Sequence, residues 1–291
     1  MRLIDALHLG RERVIACWQA GDVLVDPGPS SCLPTLLDAL GDERPRALLL
    51  THIHLDHAGA SGLLVERWPD LEVYVHERGA PHLIDPSRLL ESARRLYGED
   101  MDRLWGEMVA VPEPNVRVLH GGERVINGAF EVACTPGHAS HHVSYLHDGT
   151  AFVGDVGGVR ITADSLTIPP TPPPDIDVEA WHESIQRIRA WAPQRLAVTH
   201  FGAYEDVDAQ LAEVSARLDD WAERFDRNWD KVHKLDPKRF DEKFRRVWRS
   251  YLWSCAEMFR SPNGKTHLFQ IVVSKGNIGD GYPMSRAFLY R

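Results

Sequence analysis

The stretch THIHLDH places three histidines and an aspartate within six positions of one another. It directly follows the apolar run ALLL, which is typical of a buried strand. Alternation along an extended chain puts His52 and His54 on one side, with Asp56 and His57 just beyond them. Imidazole and carboxylate groups are the ligands that zinc, iron and manganese share, so this pattern predicts a metal site.

Three further candidate ligands stand where other predicted strands stop. His138 in TPGHAS follows FEVACT, Asp155 in VGDVGG follows AFVG, and His200 in THFG follows RLAV. Sites in layered α/β proteins form where strand ends release the chain into loops. A lone histidine in such a place is more often a structural residue. Four strand ends that all finish in His or Asp predict one shared metal centre.

The seven candidates can be divided between two ions that share one carboxylate. The sets are His52, His54 and His138 for one ion, Asp56, His57 and His200 for the other, and Asp155 as the bridge. Each ion then keeps room for a shared water, as a catalytic metal site requires. The sequence therefore predicts two divalent metal ions. Zinc is favoured, and iron and manganese are compatible with the same ligands.

The elements that must position these residues alternate between strands and helices, which indicates α/β layers. A hairpin is predicted around Ala20-Gly21, and an amphipathic pair of helices is predicted as an insert over 82–108. Five prolines within 168–177 exclude a helix or central strand there and predict a rigid loop. The remaining predicted strands are 47–51, 71–76, 116–120, 130–135, 143–147, 151–155 and 195–200, and the remaining helices are 33–40, 178–191 and 206–234.

With these motifs in this order, the sequence resembles the metallo-β-lactamase-fold hydrolase superfamily from about residue 5 to about residue 215. The resemblance rests on LVDPGP, THIHLDH, TPGH, GD and THFG. It implies a four-layer αββα sandwich, here with a helical insert, and a dinuclear site in a shallow groove at one edge. It also implies the ligand roles assigned above, and that Asp26 in LVDPGP orients a ligand histidine. Without the resemblance, Asp26 would be interpreted as the start of a turn.

The resemblance further implies hydrolysis by a hydroxide that two cations make available near neutral pH. Asp56 is expected to orient this hydroxide and to carry its proton. A bridging carboxylate such as Asp155 is typical of the thioesterase, lactonase and phosphodiesterase branches, whereas β-lactamases of this fold lack it. We therefore expect an enzyme that hydrolyses a small ester, thioester or lactone. Phosphodiester and β-lactam hydrolysis remain alternatives, and VGGVRITADS lacks the tyrosine typical of homoserine-lactone lactonases.

Four side chains near the ligands are candidate substrate contacts. His141 and His142 closely follow the ligand His138, and Tyr204 follows His200. Arg160 follows Asp155 and could bind a carboxylate or a phosphate. A surface or packing role is the alternative for each of them. The helical insert and the proline loop are expected to form walls of the substrate pocket.

Charge and composition limit the partners of the chain. Its net charge is −9, with about −16 on residues 1–220 and about +7 on residues 221–291. An acidic main body argues against nucleic acid, which requires a basic surface. No apolar run is long enough for a membrane span, and the charged start MRLIDALHLGRER argues against a signal peptide. Four scattered cysteines fit a reducing compartment. These features predict a cytoplasmic protein with a small-molecule substrate.

Residues 216–291 are predicted to form a second unit, after a catalytic domain over 1–215. FRRVWRSYL and LFQIVVSKG resemble the C-terminal end of cyclopropane-fatty-acyl-phospholipid synthase-type methyltransferases. A Gly-rich loop that could bind S-adenosylmethionine is missing, so this cofactor is not expected. We expect a helical segment and a strand pair that cover the sandwich, form a homodimer or shape access. Its bulky residues are expected in a core: Trp229, Trp248, Trp253 and Phe259.

Two functions of other classes remain open for the whole chain. One is a scaffold or partner of a lipid-modifying methyltransferase, for which the tail would be the docking element. The other is a redox protein with a di-iron site, since the same ligands bind iron. The sequence leaves open the identity of the substrate, the native metal and whether the two units are a natural fusion or a chimera.

Overall fold

The computed structural model describes residues 1–172, 175–234 and 245. In this part of the chain there are twelve strands and eight α-helices. The strands are β1 Arg2–Asp5, β2 Ala16–Ala20, β3 Val23–Val25, β4 Ala47–Leu49, β5 Glu72–His76, β6 Val116–Leu119, β7 Arg124–Val125, β8 Phe130–Cys134, β9 Val143–His147, β10 Thr150–Phe152, β11 Arg195–Ala197 and β12 Ala203–Tyr204. The helices are α1 Leu33–Leu40, α2 Leu55–Ala58, α3 Ser61–Arg67, α4 Ala80–Ile84, α5 Ser87–Tyr97, α6 Met101–Trp105, α7 Val178–Ala190 and α8 Val207–His233.

The strands form two six-stranded sheets, one from each half of the described chain. The first sheet has the order β1-β2-β3-β4-β5-β6, and its strands from β3 onward run parallel. All three residues of β4 are buried, as expected for a parallel strand covered on both faces. The second sheet has the order β12-β11-β10-β9-β8-β7 and is antiparallel except between β10 and β11.

The two sheets pack face to face around an apolar core that includes Trp18, Leu49, Phe130 and Phe152. Helices cover the outer face of each sheet. A second cluster contains Leu36 and Leu64 of α1 and α3, and a third contains Trp181 of α7 together with residues of α8. This arrangement confirms the predicted four-layer αββα sandwich.

The helical insert contains three helices, α4 to α6, where the sequence predicted two. The residue before proline is disfavoured in the helical region, and the Asp85-Pro86 pair separates α4 from α5. Gly98 follows α5 with a φ of 54°, a left-handed conformation that glycine adopts without strain. The predicted range of 82–108 therefore corresponds to helices between Ala80 and Trp105.

The boundary predicted after residue 215 falls inside α8, which is one continuous helix of 27 residues. Trp221 and Trp229 of this helix are buried, which agrees with the expected packing of Trp229. The other expected core residues of the tail, Trp248, Trp253 and Phe259, lie outside the described residues, as does the expected strand pair. Among the described helices, none has the length and hydrophobicity that crossing a bilayer requires.

Candidate metal centre

Three histidine nitrogens converge beyond the end of β4. His52 Nε2 lies 2.9 Å from His54 Nδ1, and His138 Nε2 lies 3.0 Å from the same His54 atom. The three nitrogens form one group whose atoms all lie within 4.8 Å of one another. Ligand atoms around a tetrahedral zinc ion, with bonds of 2.0–2.1 Å, lie about 3.3 Å apart. The spacing of this group therefore fits a single metal ion.

The second group combines two residues of α2 with one residue from the other half of the chain. His200 Nε2 lies 3.3 Å from Asp56 Oδ2, and His57 Nε2 lies 3.9 Å from the same oxygen. Asp56 and His57 belong to the single turn of α2, whereas His200 follows β11 of the other sheet. The histidine and carboxylate ligands are therefore drawn from both sheets and meet at one edge of the sandwich.

Asp155 lies between the two groups, after the end of β10. Its Oδ2 lies 3.3 Å from His138 Nε2 of the first group. Its Oδ1 lies 3.3 Å from His57 Nε2 and 3.5 Å from His200 Nε2 of the second group. Each oxygen thus faces a different group, which is the geometry of a bridging carboxylate.

Two buried polar atoms of this centre have no hydrogen-bond partner, His57 Nε2 and Asp155 Oδ1. Buried polar atoms without a partner are rare in native proteins, and each one requires a reason. A divalent cation between these atoms would satisfy both. The donor set therefore fits two divalent cations, with imidazole and carboxylate as ligands.

Backbone carbonyls fix the orientation of two of the ligand rings. His138 donates from Nδ1 to the carbonyl of Pro170 at 2.8 Å, and His200 donates from Nδ1 to the carbonyl of Val14 at 2.7 Å. A neutral imidazole that donates from one nitrogen carries a lone pair on the other. The Nε2 atoms of both rings are therefore available as ligands.

The pKa values of the ligands reflect burial and the neighbouring charges. Burial lowers the pKa of His54 to about 3, and burial also lowers the pKa of His52, so both rings are neutral at pH 7. Burial alone would lower the pKa of His57, but the carboxylates of Asp155, Asp26 and Asp56 raise it well above its ordinary value. The raised pKa of His57 therefore reports the negative charge of the three carboxylates around it, and a metal ion at this ring would replace the proton.

Asp26 holds a proposed ligand in position but is not itself one of the proposed ligands. Its carboxylate is fully buried and accepts hydrogen bonds from the Thr51 amide (2.8 Å), the Thr51 hydroxyl (2.7 Å), the Thr199 hydroxyl (2.7 Å) and His57 Nδ1 (2.8 Å). The residue has a φ of 50°, which a non-glycine residue adopts only where the surroundings hold it. Asp26 thus orients His57, and it joins the ends of β3, β4 and β11.

Glycines precede two of the ligands because the backbone has no space for a side chain there. A Cβ on Gly154 would lie 2.6 Å from the hydroxyl of Thr51, and one on Gly137 would lie 2.4 Å from the Cα of Trp181. Both residues also have positive φ values, 44° and 140°. The glycines of the TPGH and GD motifs therefore bring His138 and Asp155 into place.

A cavity of about 1090 Å³ opens onto the metal centre. The proposed ligands that line it are His54, Asp56, His138, Asp155 and His200. Its walls include Leu89 and Trp105 of the helical insert, and Pro170 and Pro172 of the proline loop. The helical insert and the proline loop, which the sequence predicts as walls of the substrate pocket, therefore both line this cavity. His141 also lines it, and burial lowers the pKa of this histidine to about 3.

The position of His142 does not agree with its expected role as a substrate contact. The side chain is fully buried, its Nδ1 lies 2.9 Å from the Thr135 hydroxyl, and its ring stacks on His52 at 5.2 Å. It is absent from the cavity wall. His142 therefore packs against the ring of the proposed ligand His52 and helps to hold it in place.

Arg160 and Tyr204 also lie away from the cavity wall. Arg160 is buried, and its guanidinium donates to both oxygens of Asp206 at 2.7 and 2.9 Å. It lies 4.3 Å from the centre of the Tyr204 ring, and the Tyr204 hydroxyl donates to the Arg160 carbonyl. The expectation of substrate contact is corrected for both residues, because neither lines the cavity and their terminal polar groups, the Arg160 NH groups and the Tyr204 hydroxyl, are engaged inside the protein.

Sequence reasoning missed the two threonines that support Asp26. Thr51 and Thr199 each stand directly before a ligand histidine, in THIHLDH and THFG. The repeated Thr-His pair at a strand end is a signal that could have identified them. Arg78 and Arg88, which line the cavity, were also missed. The amphipathic pattern of the insert did not show which of its arginines face the site.

Comparison with known proteins agrees with this geometry. The family model of the metallo-beta-lactamase superfamily matches residues 19–200. The metallo-beta-lactamase fold-containing protein ST1585 of Sulfurisphaera tokodaii is 28% identical over 195 residues, which cover 65% of this chain and 71% of that protein. The hydroxyacylglutathione hydrolase of Xanthomonas euvesicatoria pv. vesicatoria is 32% identical over 135 residues, which cover 46% of this chain and only 40% of that enzyme.

Solved structures with the same fold include two of at least 25% identity. An archaeal metallo-beta-lactamase superfamily protein, ST1585 from Sulfolobus tokodaii, superposes with a TM-score of 0.63 at 25% identity, over 75% of this chain and 85% of that one. TTHA1623 in a di-iron-bound form superposes with a TM-score of 0.51 at 27% identity, over 69% of this chain and 93% of that one. Both similarities extend over most of the sandwich.

Proposed function

The chain belongs to the metallo-β-lactamase superfamily, and from this membership we propose that it is a dinuclear metallohydrolase of a small ester, thioester or lactone. The observation that carries the proposal is Asp155, whose two oxygens face two separate ligand groups. A bridging carboxylate fits a site for two ions, and a two-ion site is suited to hydrolysis.

The residues that would hold the ions follow from the distances in the centre. The first ion would be held by His52, His54 and His138, the second by Asp56, His57 and His200, with Asp155 between them. When bound, two such cations supply a polarised carbonyl and a water of lowered pKa. Zinc is proposed because its usual ligands are histidine nitrogen and carboxylate oxygen.

Asp56 is proposed as the catalytic residue among the ligands. Its side chain borders the cavity and is 25% exposed. Burial would raise its pKa, but His57 and His200 outweigh burial and lower the pKa, so the carboxylate is ionised at neutral pH. One oxygen, Oδ2, faces the two histidines. The other can accept a hydrogen bond from the attacking water, orient it and receive its proton.

An acyl substrate is supported by the relative named hydroxyacylglutathione hydrolase, which is 32% identical over 135 residues. Its name states an acyl compound as the substrate. Hydrolysis of such a compound adds one water across the acyl bond and releases an acid with an alcohol or a thiol. Because this chain matches only 40% of that enzyme, the acyl class is carried over as a proposal and the particular substrate is not.

The proposal is tested by metal analysis and an activity panel on the full chain, purified without chelators. We expect about two divalent ions per chain and hydrolysis of activated esters, thioesters or lactones in preference to phosphodiesters. Asp56→Asn should lower kcat by at least about 100-fold, the size of a general-base contribution. The matched control is Asp175→Asn, a carboxylate on the cavity wall that accepts from the Ser140 amide. Fewer than about one ion per chain, or no hydrolysis of any acyl compound, would reject the proposal.

Iron is the second candidate metal, because the structural relative TTHA1623 is known in a di-iron-bound form. Protein loaded separately with zinc, iron and manganese should be compared in the same panel. If the colourless, zinc-loaded protein hydrolyses acyl compounds fastest, the result supports zinc as the native metal. An iron protein that consumes oxygen, with no hydrolysis in any metal form, would favour redox chemistry instead.

A further inference from the structure

We propose that the substrate carries an apolar acyl chain of several carbons and a separate anionic group, a carboxylate or a phosphate, which Arg78 and Arg88 bind. This inference rests on the proposed function, since it specifies the substrate class of the same cavity. It is carried by three observations: the size of the cavity, its apolar walls, and two unpaired arginines that line it.

The cavity is larger than a short acyl group needs. Its volume of about 1090 Å³ lies just above the range of about 300–1,000 Å³ for sites that bind drug-sized ligands. A lactoyl or acetyl group alone would leave most of this space to water. The volume therefore favours a substrate with a longer chain.

Apolar side chains form much of the cavity wall away from the metal centre. They include Leu89, Leu96 and Trp105 of the insert, and Val159 and Ile161 of the loop after β10. Leu96 is 48% exposed and Ile161 is 38% exposed, although both are large apolar residues. Large apolar side chains that stay exposed on a cavity wall indicate an apolar ligand.

Two arginines that line the cavity are not held by an ion pair in the described part of the chain, although the charge of Arg88 contributes to the lowered pKa of the exposed Asp85. Neither Arg78 nor Arg88 forms a side-chain hydrogen bond or ion pair with a described residue. Arg13 on the same wall is different, because its guanidinium donates to the Ile161 carbonyl and lies over the Phe201 ring. Arg78 and Arg88 are therefore the cations available to a ligand.

The carboxylates on the cavity wall already have partners within the protein. Asp56 and Asp155 face the metal ligands, and Asp175 accepts a hydrogen bond from the Ser140 amide. Residues 1–220 carry a net charge of about −16. Two arginines without an ion pair on the cavity wall are therefore positive charges within a mainly acidic part of the chain. A guanidinium presents a planar set of donors that matches a carboxylate or a phosphate.

The test measures binding, so that it does not depend on turnover. Metal-loaded full-length protein is titrated by calorimetry with alkyl carboxylates, alkyl phosphates and neutral alkyl alcohols, each from butyl to dodecyl. We expect Kd to fall by about fourfold per added methylene while the chain remains in the cavity. We expect at least one anionic series to bind about tenfold more tightly than the alcohols of the same length.

Arginine variants decide which groups bind the anion. The double variant Arg78→Met and Arg88→Met should lose the tenfold preference and keep the dependence on chain length. Arg88→Lys should keep part of the preference, since it retains the charge without the fork of donors. Arg94→Met is the matched control, because Arg94 is an exposed arginine of α5 that does not line the cavity.

Two results would overturn the inference: binding that does not depend on chain length, or an anion preference that the double variant keeps. The second result would show that the metal centre itself binds the anion. Failure of the proposed function has a different signature, in which acyl compounds bind to the metal-loaded protein without being hydrolysed.

Discussion

Asp26 accepts hydrogen bonds from three parts of the chain that also carry ligands. Thr51, His57 and Thr199 all donate to its carboxylate, which is fully buried. A ligand histidine whose second nitrogen is held by a carboxylate keeps one orientation and one tautomer. The effect of Asp26 on the centre can therefore be measured through metal affinity.

Replacing Asp26 with asparagine should weaken metal binding by about 10- to 100-fold. An amide has one acceptor oxygen, so it cannot accept all four hydrogen bonds that the carboxylate accepts. Metal affinity is measured by competition with a chromophoric chelator. Asp22→Asn is the control, because Asp22 is a half-exposed carboxylate that pairs with Arg46 away from the centre. Unchanged affinity in Asp26→Asn would contradict the role assigned to Asp26.

A methyl group on Gly154 should disturb the fold and the centre together. Gly154→Ala is expected to lower the free energy of unfolding by about 3 kcal/mol, from backbone strain and from overpacking against Thr51 and His142. Gly122→Ala should cost only about 1 kcal/mol, because Gly122 has a φ of 89° but nothing lies near its Cβ position. Urea unfolding of the two variants measures the difference. Equal losses would show that close packing at Gly154 is unimportant.

At the scale of elements, the ends of β4, β8, β10 and β11 each deliver a proposed ligand. The sequence was sufficient to predict that these side chains come together, since each follows an apolar run within a few residues. It was insufficient for Arg160 and Tyr204, which also follow ligands closely. Distance along the chain does not give side-chain direction, and in the loop after β10 the chain turns Arg160 toward Asp206 of the segment that precedes α8. The same limit applied to Arg78, which precedes α4, and to Arg88 of α5, since neither could be distinguished from other exposed arginines.

Arg160→Met should therefore change stability rather than substrate affinity. We expect the free energy of unfolding at pH 7 to fall by about 1–2 kcal/mol, a value reduced because Asp206 is half exposed. KM for any acyl substrate should stay the same. A several-fold rise in KM without a change in stability would instead indicate that Arg160 contacts the substrate.

The loss of stability caused by Arg160→Met should also depend on pH. The hydrogen bond with Arg160 lowers the pKa of Asp206. A lowered carboxyl pKa contributes stability above the unfolded value of about 3.9, and the contribution is lost as pH falls through the lower folded value. The difference between the parent protein and Arg160→Met should therefore shrink below about pH 4. Unfolding midpoints measured between neutral and acid pH would show this, and a constant difference would contradict it.

At the scale of the whole molecule, the metal centre joins the two sheets. His52 to His57 follow β4 of the first sheet, whereas His138, Asp155 and His200 follow strands of the second. Metal ions at this edge would connect the two halves of the described chain. The alternating strands and helices were predictable because most of the strands are short apolar runs, whereas the four-layer arrangement was implied by the family resemblance. The boundary after residue 215 stays a prediction, and α8 continues through that position.

Removal of the metal should lower the thermal midpoint by at least about 8 °C. A ligand at 1,000 times its Kd stabilises the folded state by about 4 kcal/mol, and each kcal/mol shifts a domain of this size by about 2–4 °C. Differential scanning calorimetry before and after dialysis against a chelator measures the shift. Added zinc should restore the midpoint as a control for irreversible damage. An unchanged midpoint would show that the two sheets do not depend on the centre.

The division of the ligands between early and late strands has a consequence for the newly synthesised chain. His52, His54 and His138 have all been made once the ribosome has passed residue 138, but His200 is added about 60 residues later. At about 5–20 residues per second, this interval lasts about 3–12 s. During that time the growing polypeptide contains all three histidines of the first group, whereas the second group still lacks His200. The first ion should therefore be captured there during translation, and the second after synthesis has reached β11.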